Sequence, residues 1–253
     1  MTVDDMVGDL MKAVNFGYPQ GLLESVSEGD WRASAERLVA VRSAMPLPSG
    51  SFDQEHLWFL PMVMTLTRVG LIPSAVVDIA CGMSIPMWYS HVLGQPTSLF
   101  GLDMSPCPTA AYPPGATVIK CQLLDPNSVR SGIMSCESVG GLMVATEWLE
   151  HVEYNPIPTL TIISERVRPD IIYFSAPNFT NHQTFMRPEW VHYSTLAGYR
   201  GQPIRYAPWH HKGWTFNEMA DLIDDLGYNL LAGYSGYHCS GICGIPKPDL
   251  WRR

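Results

Sequence analysis

Three side chains with chemical capacity fall within five positions of the stretch TEWLEHVEYNP (146–156): Glu147, Glu150 and His151. If 147–151 form a helical turn, spacings of three and four put all three on one face, with Trp148 and Leu149 turned into a core. Two carboxylates and an imidazole make a partial ligand set for a divalent ion of intermediate hardness. The same trio also suits a general-base histidine without metal, or simply the polar face of a short helix. A second imidazole source is APWHHKGWTFNEM (207–219), which carries His210 and His211 just ahead of an amphipathic helix. A histidine reaching over a sheet edge from there completes a Glu-Glu-His-His set. By itself, a His pair in a loop is solvated surface.

A second cluster lies upstream. VVDIACGMS (76–84) reads as a strand, a tight turn of small residues and the start of a helix, a place where backbone can approach a ligand closely. The next strand ends in Asp103, correctly spaced for an acid that accepts hydrogen bonds from ribose hydroxyls. Nicotinamide sites favour a GxGxxG turn, whereas this one has only Gly82, flanked by Ala80 and Ser84.

These clusters need a scaffold. AVVDIA (75–80), SLFGLD (98–103), TVIKC (117–121), GLMVAT (141–146) and DIIYFSA (170–176) are short apolar runs separated by room for crossover helices, which predicts a mostly parallel sheet covered on both faces. NEMADLIDDLG predicts an amphipathic helix closed by Gly227, and YNLLAGYS and HCSGICGIP two final strands, seven in all. Residues 1–45 read as helical, through DLMKAVNF and WRASAERLVAVRSAM, and PLPSGS (46–51) as a linker. The chain therefore divides into an N-terminal helical extension, 1–50, and an α/β domain, 51–253. FDQEHLWFLPMVMTLTRVGLI predicts one or two helices, with Pro61 at a start or kink.

Composition narrows the class. The 253 residues are 46% hydrophobic, enough for a sizeable core. The opening MTVDDMVGDLMKAV has no basic leader, and no apolar run approaches the ~20 residues of a membrane span, so a cytoplasmic protein with no membrane partner is expected. Cysteines 81, 107, 121, 136, 239 and 243 follow no paired framework and read as free thiols. A net charge of −8 excludes broad, non-specific nucleic-acid binding. Residues 187–214 are a local exception: Arg187, Arg200, Arg205 and Lys212 face one acid, Glu189, among six Trp and Tyr residues. Cations between stacking surfaces suit a single-stranded nucleic-acid end, and an insertion packed on the core is the plainer reading.

Asp-x-small-x-Gly followed by the acid at Asp103 resembles the class I S-adenosylmethionine (SAM) methyltransferases, whose fold is Rossmann-like. That resemblance implies that Asp78, Ala80 and Gly82 lie along the methionine moiety, that Asp103 holds the ribose, and that Cys121 and Gln122 flank the adenine. More specifically, VVDIACG, ATEWLEHV, IIYFSAPN and HHKGWTF resemble the HEN family of small-RNA 3′-terminal 2′-O-methyltransferases over roughly residues 70–245. The resemblance implies Glu147, Glu150, His151 and His211 as catalytic metal ligands for Mn²⁺ or Mg²⁺, with His210 the alternative fourth. It also implies an RNA 3′ end as partner, single-stranded at the terminus; Arg200, Arg205 and Lys212 of the cationic segment are the residues expected to meet it, and a monomer is expected. The sequence departs from the family at Ala80, which replaces a glycine, in SAPNFTN after the fifth strand, and in a spacing one residue shorter before Trp214. Cap-type enzymes use a Lys-Asp-Lys-Glu set, which four lysines (12, 120, 212 and 247) do not supply. E-x-L-E-H also occurs in metal-independent O-methyltransferases of the ubiquinone-biosynthesis type. A catalytically silent binding module of the same fold is the remaining alternative.

Overall fold

The computed structural model describes residues 20–46, 55–82, 84–94, 98–106, 111–152, 155–177, 192–197, 203–206, 214–235 and 239–251, with Asp4 and Pro96. Ten strands occur among them: β1 (Gln20–Gly21), β2 (Ala75–Ile79), β3 (Ser98–Asp103), β4 (Thr117–Lys120), β5 (Leu142–Thr146), β6 (Ile171–Pro177), β7 (His192–Ala197), β8 (Pro203–Tyr206), β9 (Tyr228–Ser235) and β10 (Cys239–Pro246). The helices are α1 (Glu28–Ala44), α2 (Glu55–Arg68), α3 (Ile85–Leu93), α4 (Pro126–Gly132), α5 (Ile157–Val167) and α6 (Phe216–Asp225).

Eight strands form one sheet in the order β4-β3-β2-β5-β6-β10-β9-β1. From β4 to β6 every pairing is parallel, and β10 runs antiparallel to both β6 and β9. All seven strands expected from the sequence are present, and the architecture is the expected Rossmann-like α/β sheet. The eighth, β1, lies within a stretch expected to be helical. It adds two residues antiparallel to the edge of β9, through Gln20 opposite Gly233.

Period-two alternation makes two cores. On one face Val76, Leu142, Val144 and Tyr173 meet α1, α2 and α3; on the other Val77, Met143, Ala145 and Phe174 meet α4, α5 and α6. Helix α1 opens with a capping box between Ser27 and Asp30, and presents Trp31, Ala35, Leu38 and Val41 to the first core. Helix α2 is one helix with Pro61 inside it rather than at its start, and Phe59, Met62, Val63 and Leu66 set it in that core. The expected helix at 9–16 and most of the 46–51 linker lie outside the described residues. No helix among the described residues is long and apolar enough to cross a membrane. Cys81, Cys121, Cys136 and Cys243 are buried free thiols.

Candidate functional site

Strand β2 lies between β3 and β5, so the chain leaves it in one direction for β3 and returns on its other side for β5. Such a reversal opens a crevice at the C-terminal ends of the strands. Ile79 is opposite Ala145 in register, so the turns that follow β2 and β5 emerge side by side there. Both of the clusters singled out in the sequence sit on those two turns.

The first turn is built from left-handed backbone at Ala80, Gly82 and Ser84, with φ of 56°, 43° and 49°. Only glycine takes this conformation without a Cβ penalty, which is roughly 1–2 kcal/mol for other residues. Ala80 therefore adopts the backbone that a glycine would, held by its N–H to the Leu102 carbonyl at 2.7 Å. The Ser84 hydroxyl donates to Asp78 Oδ2 at 2.7 Å rather than capping α3. Asp103 at the end of β3 accepts from the Gly82 N–H at 3.2 Å and the Ser105 N–H at 2.7 Å. Burial pushes the Asp78 carboxyl up to about 8; the Ser84 hydrogen bond opposes this shift and the Asp103 charge adds to it. Cys121 is buried and its N–H reaches the Asp103 carbonyl at 2.9 Å, while Gln122 is exposed. The structure adds two residues that the sequence did not single out. Met104 and Leu124, 47% and 43% exposed, are apolar residues one and two positions beyond Asp103 and Gln122 in the chain. An apolar residue soon after the polar residue that ends or follows each strand was the signal available.

The second turn differs from the helical turn expected at 147–151. Glu147 takes φ 51°, with its N–H bonded to the Ser175 carbonyl of β6 at 3.2 Å, and only Leu149–His151 form a short 3-10 helix. The left-handed residue bends the chain back over β6, and this bend replaces a common helical face. Glu147 and Glu150 are nonetheless brought close enough for their charges to interact, Glu150 buried and Glu147 partly so. Burial raises both carboxyls, and the Glu147 charge raises Glu150 further. Ser175 Oγ donates to Glu147 Oε1 at 3.1 Å. Glu150 is 2% exposed, and its Oε2 and the neighbouring Thr146 Oγ1 are buried without a hydrogen-bond partner. His151 is half exposed, with Nε2 3.6 Å from Glu150 Oε1.

Among the described residues, no three His, Cys, Asp or Glu side chains close around a cation. The donor chemistry nevertheless fits one: the buried Glu150, with an unsatisfied oxygen, and the part-buried Glu147 are carboxylates that a cation would neutralise. His210, His211, Lys212 and Arg200 lie outside the described residues. Arg205 is on β8, opposite Tyr193 in a separate two-stranded sheet with β7. Beyond the His-Lys segment, the indole of buried Trp214 donates to the Leu149 carbonyl of the turn at 3.0 Å.

Solved structures share this architecture. The complex between the Haloferax volcanii Trm112 methyltransferase activator and a methyltransferase matches with a TM-score of 0.50 at 13% identity, over 77% of this chain and 92% of that one. The fold is that of the class I methyltransferases. The PH0226 protein of Pyrococcus horikoshii matches equally, with a TM-score of 0.50 at 12% identity over 84% of this chain and 99% of that one. The methyltransferase domain of a bacterial Hen1 protein, CtHen1-CN, reaches a TM-score of 0.46 at 16% identity over 77% of this chain and all of that one, a likeness that bears on neither substrate nor metal. No protein-family model and no curated protein matches the sequence.

Proposed function

We propose that the protein is a SAM-dependent methyltransferase that uses a divalent ion, Mn²⁺ or Mg²⁺, to methylate the 2′-hydroxyl of the 3′-terminal nucleotide of RNA. The observation that carries this reading is the Trp214–Leu149 hydrogen bond. His211 is three residues before Trp214, a span of at most roughly 11 Å of chain. That length supports its joining Glu147, Glu150 and His151, with His210 the alternative. SAM supplies an electrophilic methyl group, which moves to oxygen as its bond to sulfur breaks, leaving S-adenosylhomocysteine and a proton. In this reading Asp78, Ala80 and Gly82 border its methionine end, and Asp103 accepts from its ribose. Cys121 and Gln122 border the adenine, with Met104 and Leu124 as apolar contacts. A divalent ion supplies the charge that makes a ribose hydroxyl reactive near neutral pH. The mixed oxygen and nitrogen donors suit Mn²⁺ better than Mg²⁺. Arg200, Arg205 and Lys212 would meet the phosphates of a single-stranded end, and the protein would act as a cytoplasmic monomer.

The exposed His151 beside Glu150 supports a second reading, in which it is a general base for a small-molecule hydroxyl and no metal takes part. Tritiated SAM offered with RNA oligonucleotides decides between the two. The first reading expects label only at ends with both 2′- and 3′-hydroxyls, silencing by chelator, recovery with Mn²⁺, and a greater loss for His211→Ala than for His210→Ala. Full activity in excess chelator, with His151→Ala inactive, hands the case to the second.

A further inference from the structure

Strand β6 reads IIYFSAP, and every position in it up to Ala176 is buried. A serine in such a run is usually satisfied by nearby backbone. Ser175 is fully buried and instead sends its hydroxyl hydrogen across to the neighbouring strand's exit, to Glu147 Oε1 at 3.1 Å. Register places Ser175 opposite Thr146, the residue before Glu147. The Ser175 carbonyl also takes the Glu147 N–H at 3.2 Å, so one residue holds Glu147 at both backbone and side chain. The backbone bond accompanies the left-handed φ of 51°, and the side-chain bond selects one orientation of the carboxylate. A free carboxylate on such a turn would sample several rotamers, at a cost in entropy when it is ordered.

We infer that Ser175 is the positioning residue of this site, fixing the Glu147 carboxylate beside Glu150 before any ligand arrives. The inference rests on the metal reading above in one respect, that what Glu147 is oriented toward is a divalent ion. Hydrogen bonds to a ligating carboxylate set how well it grips, and losing one costs metal affinity about ten- to a hundredfold.

A double-mutant cycle tests it, with Mn²⁺ alone as the probe and its binding followed by electron paramagnetic resonance, which also reads weak sites. Ser175→Ala removes one oxygen without adding bulk. It is expected to weaken Mn²⁺ binding about tenfold while SAM affinity stays at the wild-type value. In a Glu147→Ala background the same change is expected to cost nothing more, since there is no carboxylate left to hold. A merely structural serine would give additive losses in the two backgrounds, and that result overturns the inference, as does unchanged Mn²⁺ affinity in Ser175→Ala. If the wild-type protein binds no Mn²⁺, the metal reading falls on its own. The cycle is then read in methyl-transfer turnover, where non-additivity keeps Ser175 as the positioning residue and additivity removes it.

Discussion

The turns after β2 and β5 leave adjacent strands at the same edge of the sheet, and both use left-handed non-glycine residues and buried carboxylates. They differ in how their polar groups are satisfied. In the first, Asp78 has the Ser84 hydroxyl, and Asp103 has two backbone N–H groups. In the second, Glu147 has Ser175, but Glu150 Oε2 and Thr146 Oγ1 are buried without partners. A buried, unsatisfied polar group costs about 1–3 kcal/mol, and more when it is charged. Among the described residues, the first turn's carboxylates have hydrogen-bond partners, whereas two buried oxygens of the second have none. Cofactor affinity should thus depend on the first, and chemistry on the second.

The largest expected effect breaks the second turn. Glu150→Ala should reduce methyl transfer by roughly a hundredfold or more, beyond what an outer hydrogen bond is worth, yet leave SAM affinity near the wild-type value by calorimetry. Next comes the first turn. Asp103→Ala should weaken SAM roughly ten- to a hundredfold, the worth of hydrogen bonds to a charged group. If Glu150→Ala lost SAM as badly as Asp103→Ala, the division of labour between the turns would be wrong.

The sequence discloses these turns unequally. Strands such as AVVDI and LMVAT were legible because alternate residues face two separate cores, leaving continuous apolar runs. The acids that end or follow them were legible for the same reason, as polar residues terminating apolar runs. The bend at Glu147 was not, because it depends on the carbonyl of Ser175, far along the chain in β6. Spacing within 147–151 contains no trace of that partner, so it suggested a helical face. Strand β1 is two residues long and has no periodicity to read. The tie from Trp214 to Leu149 was equally hidden: a tryptophan after His-Lys-Gly reads as surface or core alike, until the fold brings a backbone carbonyl to its indole.

A smaller effect concerns pH. Asp78 stays protonated in the fold up to about 8, whereas the exposed carboxyl of an unfolded chain ionises near 3.8. Below the lower value both states hold the proton, and this group's contribution is full. Between the two values only the folded state keeps it, so stability falls as pH rises, and the loss levels off above the higher one. Asp78→Asn should flatten the fall in urea midpoint between about pH 5 and about pH 8. A slope should remain, because the raised carboxyls of Glu147 and Glu150 act in the same direction. A midpoint equally steep in wild type and Asp78→Asn would mean that Asp78 is ionised in the fold and that water reaches the first turn.

The smallest expected effect reaches the first turn from beneath. Gly101 in β3 lies opposite Asp78, and a Cβ added there would come within 2.6 Å of Cys81 Sγ and 3.2 Å of Met87 Cε. Met87 has a flexible end and can yield. Cys81 is short, buried and donates to the Tyr112 hydroxyl at 3.7 Å, so the backbone of the turn must give way with it. Overpacking of this kind costs about 1–3 kcal/mol. Gly101→Ala should therefore lower the melting temperature and weaken SAM a few-fold, as Ala80 and Gly82 shift away from the ligand. The atoms nearest the new methyl belong to Cys81 and Met87, none of them to the second turn, so Mn²⁺ affinity should not move. Adding Cys81→Ala removes the sulfur that the new methyl meets and should recover most of both losses. If Cys81→Ala deepens them instead, the thiol supports the turn and the strain lies elsewhere.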